Sequence, residues 1–314
     1  MNVVLLFPGQ SSRYPGMLQK LADECPAVVL PLFQHASDVL HRSVTDYDTA
    51  DAIASNEYVQ VSVFLANHAY WQILRHEGIE GDFSAGLSLG EYNHLVHIGA
   101  LEFDAALSLV VARAAAYDRG PLGIMAAVFP VEEDAVADAV SKARAHGICE
   151  IVNFNSPTQH VLAGDRAAVD EAIRILEDEQ AATCVVIDQR LPMHCSLFAP
   201  VAALFSPALA SAPFNTPGRP YLPNVLGRFA DDVQPRRIRA LLADHVHQPV
   251  LFRQSIDVLF DRSADGVFIE VGPKNVIHNL LGRKWHPFRR YRTDVGPNLA
   301  AAVSEMAKEL RRAA

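Results

Sequence analysis

The stretch that decides the fold is Ala85-Gly86-Leu87-Ser88-Leu89-Gly90-Glu91. It reads Gly-x-Ser-x-Gly, the pattern of a serine held on a sharp turn between a strand and a helix, with glycines where backbones pass too closely for a side chain. Chance alone also brings glycine and serine together in a chain this long, so the motif needs support from elsewhere. A nucleophilic serine requires a base, donors for the charge that develops on the attacked carbonyl, and a site for the substrate.

Outward from that turn, the chain reads as an α/β protein. Asn2 to Phe7 is a continuous apolar run, as expected of a strand buried on both faces of a parallel sheet, and Pro8-Gly9-Gln10-Ser11-Ser12 breaks it into a loop at the strand's carboxyl end. Apolar spacing predicts helices over 17–25, 28–39, 57–74, 91–98 and 103–117. Between Leu122 and Arg190 the units shorten to strand, helix, two strands around Ser156-Pro157, helix and strand, the split order of a ferredoxin-like domain. The expected organisation is a hydrolase-like large domain with a parallel sheet, formed by residues 1–121 and 191–314, carrying an inserted ferredoxin-like small domain at 122–190. Beyond the insertion the pattern predicts helices over 200–209, 235–246 and 252–260, strands over 219–226 and 266–271, and an amphipathic final helix over 298–312.

Composition narrows the functional classes. The chain has 314 residues, half of them hydrophobic, enough for a large core, and a net charge of -9 that argues against general nucleic-acid binding. Four scattered cysteines without a Cys-x-x-Cys pair give no metal signature and suit a reducing cytoplasm. Met1 to Pro8 lacks a basic leader and reads as a first strand rather than a signal peptide, and no apolar run is long enough to span a membrane. The expectation is a soluble cytoplasmic protein.

Among 13 histidines, His94 and His97 follow Ser88 on its own helix and are poorly aimed at it. His194 lies in the proline-stiffened Leu191-Pro192-Met193-His194-Cys195, where the chain returns from the insertion and a cleft between domains is expected. Spacing favours His194 without excluding the others. Arg113, set among alanines and valines, either reaches solvent or faces a buried anion.

Taken together, these segments resemble the malonyl-CoA:acyl carrier protein transacylases, including the discrete trans-acting acyltransferases of polyketide assembly lines. The resemblance covers nearly the whole chain. It rests on Phe7-Pro8-Gly9-Gln10, Gly86-Leu87-Ser88-Leu89-Gly90-Glu91-Tyr92, Arg113, Asn153-Phe154-Asn155-Ser156-Pro157 with Gln159, Pro192-Met193-His194-Cys195, Gln248-Pro249-Val250 and Val271-Gly272-Pro273. It implies Ser88 as nucleophile, His194 as base oriented by a main-chain carbonyl from the 245–248 segment, and backbone N–H groups of Gln10 and Leu89 as the oxyanion hole. It further implies that Arg113 binds an acyl carboxylate and that Gln60, Leu87 and Asn155 border the substrate. No bound cofactor is implied: acyl-CoA is the donor and the phosphopantetheine thiol of an acyl carrier protein the acceptor. A basic run, Arg283-Lys284 with Arg289-Arg290 and Arg292, offers a docking surface for the acidic carrier, or simply a solvated face.

Departures from the family pattern touch specificity. Leu87 replaces the usual histidine beside the nucleophile, Ala114 and Tyr117 stand where glycine and methionine are common, Val61 replaces a proline, and His245 stands where some members carry glutamine. A nonstandard acyl group, an acyl carrier protein hydrolase on the same scaffold, and a noncatalytic carrier-docking subunit are the alternatives.

Overall fold

The structure is a computed structural model describing residues 1–49, 55–281, 285, 289–296 and 298–313. Its parallel sheet has β1 (Val3–Phe7) and β2 (Phe83–Gly86) side by side, then β7 (Val267–Glu270) and β8 (Arg289–Arg292), in the order β2-β1-β7-β8 with every pairing parallel. Val4 to Phe7 are fully buried, which is why this strand shows a continuous apolar run rather than alternation. Because Phe7 is in register with Gly86, the loop after β1 and the turn after β2 leave the sheet together at its carboxyl edge.

Helices α1 (Met17–Glu24), α2 (Pro26–Leu40), α3 (Asn56–His76), α4 (Gly90–His97) and α5 (Phe103–Tyr117) follow in the first half of the chain. Helix α3 is buried on all sides from Gln60 to Trp71 and packs along α5, so polar groups on these two helices face each other inside the protein. Helices α8 (Ala199–Ser211), α9 (Pro235–His245), α10 (Phe252–Arg262) and α12 (Leu299–Ala313) complete the large layer with the short α11 (Val276–Leu280). The apolar stripe of α12, including Leu299, Val303, Met306 and Leu310, joins the main core.

The inserted unit runs β3 (Ile124–Phe129), α6 (Glu133–Ala143), β4 (Cys149–Ser156), β5 (Gln159–Gly164), α7 (Arg166–Gln180) and β6 (Thr183–Asp188). Its sheet has the order β4-β5-β3-β6, all antiparallel, with α6 and α7 packed on it. Strand alternation divides its side chains: Ile124, Ala126 and Val128 face a core shared with α6 and α7, while Met125 and Ala127 join the main core.

Two segments differ from expectation. Residues 219–226 form no strand. Pro220 and Pro223 remove ladder donors, and groups of this segment bond elsewhere, with Leu222 N–H donating to His94 Nε2 at 3.1 Å and Ala230 N–H to the Tyr221 carbonyl at 2.9 Å. The arginine-rich run at 289–292, read as a basic surface, is the edge strand β8, with Arg289 exposed and its neighbours half-buried. Arg283 and Lys284 lie outside the described residues.

The turn at Ser88 depends on glycine. A Cβ on Gly90 would overlap the Phe7 carbonyl oxygen, and one on Gly86 would overlap the Gly90 backbone. Gly90→Ala is therefore expected to lower stability by about 1–3 kcal/mol, the usual cost of overpacking a close contact, measured as a lower urea midpoint. An unchanged midpoint would show that the β1 loop moves aside freely.

Candidate active site

Ser88 sits at the apex of the turn with φ 51°, in the left-handed region that a residue with a Cβ seldom adopts. This backbone presents Oγ above the sheet, where its O–H donates to His194 Nε2 at 2.7 Å. His194 is itself left-handed, with φ 64°, and its N–H donates to the Val246 carbonyl at 3.2 Å. Its Nδ1 lies 2.7 Å from the His245 carbonyl oxygen. A carbonyl only accepts, so Nδ1 carries the proton and Nε2 presents its lone pair to Ser88, the tautomer a general base requires. Burial, together with the positive charge of Arg113, lowers the His194 pKa to about 3, although the bond to His245 opposes the shift.

The Pro8–Gln10 loop lies directly beside this pair. A Cβ on Gly9 would stand 2.8 Å from the Leu87 carbonyl oxygen and 3.8 Å from Ser88 Cβ, so glycine permits the approach. Gln10 Nε2 contacts Met193 Sδ at 3.7 Å, tying the loop to the segment that carries His194. Among the described residues, the backbone N–H groups of Gln10 and Leu89 have no protein acceptor. Leu87 is buried and packs into the apolar cluster that includes Val250 and Leu222.

Arg113 is only 1% exposed, a demanding location for a permanent cation. Its Nη1 donates to Gln60 Oε1 at 2.6 Å, and its guanidinium lies 4.1 Å from the centre of the Tyr117 ring and 5.8 Å from that of Tyr92. No carboxylate is within ion-pair distance of it among the described residues. Gln60 Nε2 is buried beside it without a hydrogen-bond partner among the described residues. Asn155, at the end of β4, is buried with Oδ1 unpartnered, and no side-chain hydrogen bond ties it to Ser88 or His194 among the described residues. Strand β4 nonetheless abuts the segment that supplies the His245 carbonyl, since Phe154 N–H donates to the Val250 carbonyl at 3.0 Å.

The model of the family described as "Acyl transferase domain" matches residues 4–309. The malonyl CoA-acyl carrier protein transacylase of Haemophilus influenzae is 30% identical over 289 residues, covering 89% of this chain and 91% of that protein. The crystal structure of an acyl-carrier-protein S-malonyltransferase from Burkholderia pseudomallei superposes with a TM-score of 0.88 at 30% identity, covering 96% of this chain and 99% of the other. A type II polyketide acyl carrier protein complex with its malonyl-transacylase contains a chain that matches with a TM-score of 0.86 at 26% identity, covering 97% of this chain and 100% of that one. The chain belongs to the malonyl CoA-acyl carrier protein transacylase family. It is an acyltransferase.

Within this acyltransferase the structure adds residues to which the sequence reading gave no role. Asn224 accepts the Ser88 N–H on Oδ1 at 2.7 Å and donates from Nδ2 to the Gly86 carbonyl at 2.7 Å, bracing both sides of the turn. Glu91 and Tyr221 join it: the Tyr221 hydroxyl donates to Glu91 Oε1 at 2.5 Å and Asn224 N–H to Oε2 at 3.1 Å. A signal was present in the paired prolines at 220 and 223, which speak against a strand and for a shaped loop. His94 and His97 are turned away from Ser88 and share the Ser84 hydroxyl, at 2.6 and 2.8 Å from their Nδ1 atoms.

Burial lowers the pKa of His68 and His94 to about 3 and of His97 to about 4, as it does for His194. An unfolded chain protonates these imidazoles as pH falls below their ordinary value, whereas the folded chain does not, so acid removes stability. Glu91 and Glu270, raised to about 7 by burial, act oppositely, giving stability that is full below the ordinary carboxylate range and lost as pH rises through about 7. Four histidines outweigh two glutamates between these limits. The melting temperature is expected to fall from about pH 7 to about pH 5, checked by calorimetry; a rising value would mean the imidazoles are protonated in the folded state.

Proposed function

We propose that this acyltransferase moves a malonyl or related carboxylated acyl group from CoA to the phosphopantetheine thiol of an acyl carrier protein, with Ser88 as nucleophile and His194 as general base. The supporting observation is the Ser88 to His194 hydrogen bond beside a buried Arg113 that has no carboxylate partner among the described residues. His194 Nε2 accepts the Ser88 proton as Oγ attacks the thioester carbonyl, and the imidazolium is stabilised through Nδ1 by the His245 carbonyl. The N–H groups of Gln10 and Leu89 hold the oxyanion, the latter aided by the positive end of α4. When the tetrahedral intermediate collapses, His194 returns the proton to the departing CoA sulfur, leaving an acyl ester on Ser88. The carrier thiol then gives its proton to His194 and attacks that ester. Collapse returns the proton to Ser88 Oγ and the acyl group leaves on sulfur.

Arg113 holds the acyl carboxylate with the free Gln60 Nε2 as a further donor, which would satisfy a polar atom otherwise buried unpaired. Leu87 and Asn155 border the acyl chain from the nucleophile turn and from β4. The acidic carrier docks along exposed Arg289 and half-buried Arg290 on the sheet edge, together with Arg283 and Lys284. A related transacylase is known in complex with its carrier protein. The four cysteines are free thiols, which suits the reducing cytoplasm proposed as its compartment.

Intact-mass measurement with a panel of acyl-CoAs, followed by addition of carrier protein, tests the reaction. The expected result is a malonyl adduct on the native protein that moves to the carrier and is absent in Ser88→Ala; rapid release of free acid would identify a hydrolase instead. Arg113→Ala should slow malonyl loading by roughly 10- to 100-fold, the worth of a charge-assisted bond of about 1.5–3 kcal/mol, and spare acetyl loading. Equal losses would make Arg113 structural. Arg289→Glu with Arg290→Glu should raise the KM for carrier protein and leave loading from acyl-CoA unchanged; an unaltered carrier KM would remove that surface from docking.

A further inference from the structure

Both members of the Ser88 and His194 pair sit in the left-handed backbone region, at φ 51° and 64°. Each is held there by a different segment, and the two segments meet at one buried side chain. Glu91, fully buried on the first turn of α4, accepts from the Tyr221 hydroxyl on Oε1 and from Asn224 N–H on Oε2, and Oε2 also lies 3.3 Å from His245 Nδ1. Asn224 carries the connection to the nucleophile, since its Oδ1 receives the Ser88 N–H. His245 carries it to the base. Its carbonyl orients His194 Nδ1, and its ring stacks on the His194 ring at 4.9 Å between centroids and 20° between planes.

Taking Ser88 and His194 as the reacting pair, as proposed above, we propose that Glu91 is a positioning residue whose carboxylate sets the nucleophile through Asn224 and the base through His245 at the same time. A carboxylate is the group this position requires. Two donors, the Tyr221 O–H and the Asn224 N–H, converge on separate oxygens, with His245 Nδ1 3.3 Å from the second, and only a carboxylate presents acceptors on both. A glutamine would turn an NH2 group toward one of these donors. Releasing that end frees a turn or a base that both occupy costly backbone conformations, so an error at Glu91 spreads to both reacting atoms. His245 contributes a ring that lies against both Glu91 and His194.

Charge on Glu91 is opposed by burial and supported by Tyr221, Asn224 and the nearby Arg113, which place its ionisation at about 7. The other titratable or charged groups around the cluster include Tyr92 on the same helix, His94 on that helix stacked on Tyr221, Tyr117 on α5, His245 at the end of α9, Arg237 facing Tyr221, and His194 itself. Burial holds these imidazoles below their ordinary value and the tyrosines above theirs, leaving Glu91 as the member of the cluster that ionises near neutrality.

Single-turnover acylation of the full chain by malonyl-CoA, followed by mass and measured across pH, tests the assignment. Glu91→Gln is expected to lower the acylation rate at saturation by roughly 10- to 100-fold with KM unchanged, and to abolish a rise in rate with pH centred near 7. Tyr221→Phe, which touches neither Ser88 nor His194, should lower the rate a few-fold and move that rise to higher pH, because the carboxylate loses a donor. His245→Gln keeps the carbonyl and removes the ring; combined with Glu91→Gln it should cost no more than Glu91→Gln alone, as expected of residues acting through one unit. A native rate and pH profile in folded Glu91→Gln would overturn the proposal. So would native behaviour of Tyr221→Phe should Glu91→Gln not fold. Continued loading of Ser88→Ala would instead overturn the underlying choice of nucleophile, a separate result.

Discussion

The constraint on which this molecule depends is the close approach of two backbones at the carboxyl edge of its parallel sheet. Gly86 and Gly90 leave no space for side chains against each other and against Phe7, and the chain between them turns sharply enough to force Ser88 into the left-handed region. That turn lifts Oγ clear of the sheet and starts α4 immediately behind it, so unpaired backbone donors point toward the same space. The β1 loop, held alongside because Phe7 and Gly86 are in register, brings Gln10 to the same place. The position of the Ser88 hydroxyl and the Gln10 loop beside it thus follow from one packing decision.

Burial then determines the electrostatics. His194, withdrawn from water and near the Arg113 cation, is held neutral with its lone pair toward Ser88. A backbone carbonyl orients it, so no second buried charge is needed for that purpose. The one carboxyl group in the network, Glu91, is kept one step back from the reacting atoms, where its oxygens are occupied by donors rather than by Arg113. Arg113 retains an uncommitted positive charge, stacked on Tyr117 and bonded to neutral Gln60. This separation keeps two buried charges of opposite sign from neutralising each other, leaving the Arg113 cation without a carboxylate partner among the described residues.

Much of the fold was legible because its elements carry strong local patterns. The helix Phe103–Tyr117 and the alternation of strands and helices from Ile124 to Asp188 appear where periodicity places them. Patterns failed where tertiary surroundings replace local preference. Arg289–Arg292 is a strand because the edge of a sheet offers it hydrogen bonds, while its exposed and half-buried arginines give no apolar signal. Residues 219–226 look apolar enough for a strand but have their polar groups claimed by side chains of α4. In the site, Ser88, His194 and Arg113 stood out by residue type and neighbourhood. Asn224 and Glu91 did not, because their value lies in bonds to partners more than a hundred residues away.

By itself the sequence determined the architecture, the sharp turn at Ser88 and the choice of Ser88, His194 and Arg113 as candidates, since glycine spacing, apolar periodicity and side-chain chemistry are local properties of the chain. Only the tertiary structure decided which histidine of thirteen faces Ser88, which of its nitrogens carries the proton, and that Glu91 lies between Asn224 and His245. The physical reason is that hydrogen-bond direction and desolvation depend on atoms brought together from distant segments, and no spacing along a single chain encodes them.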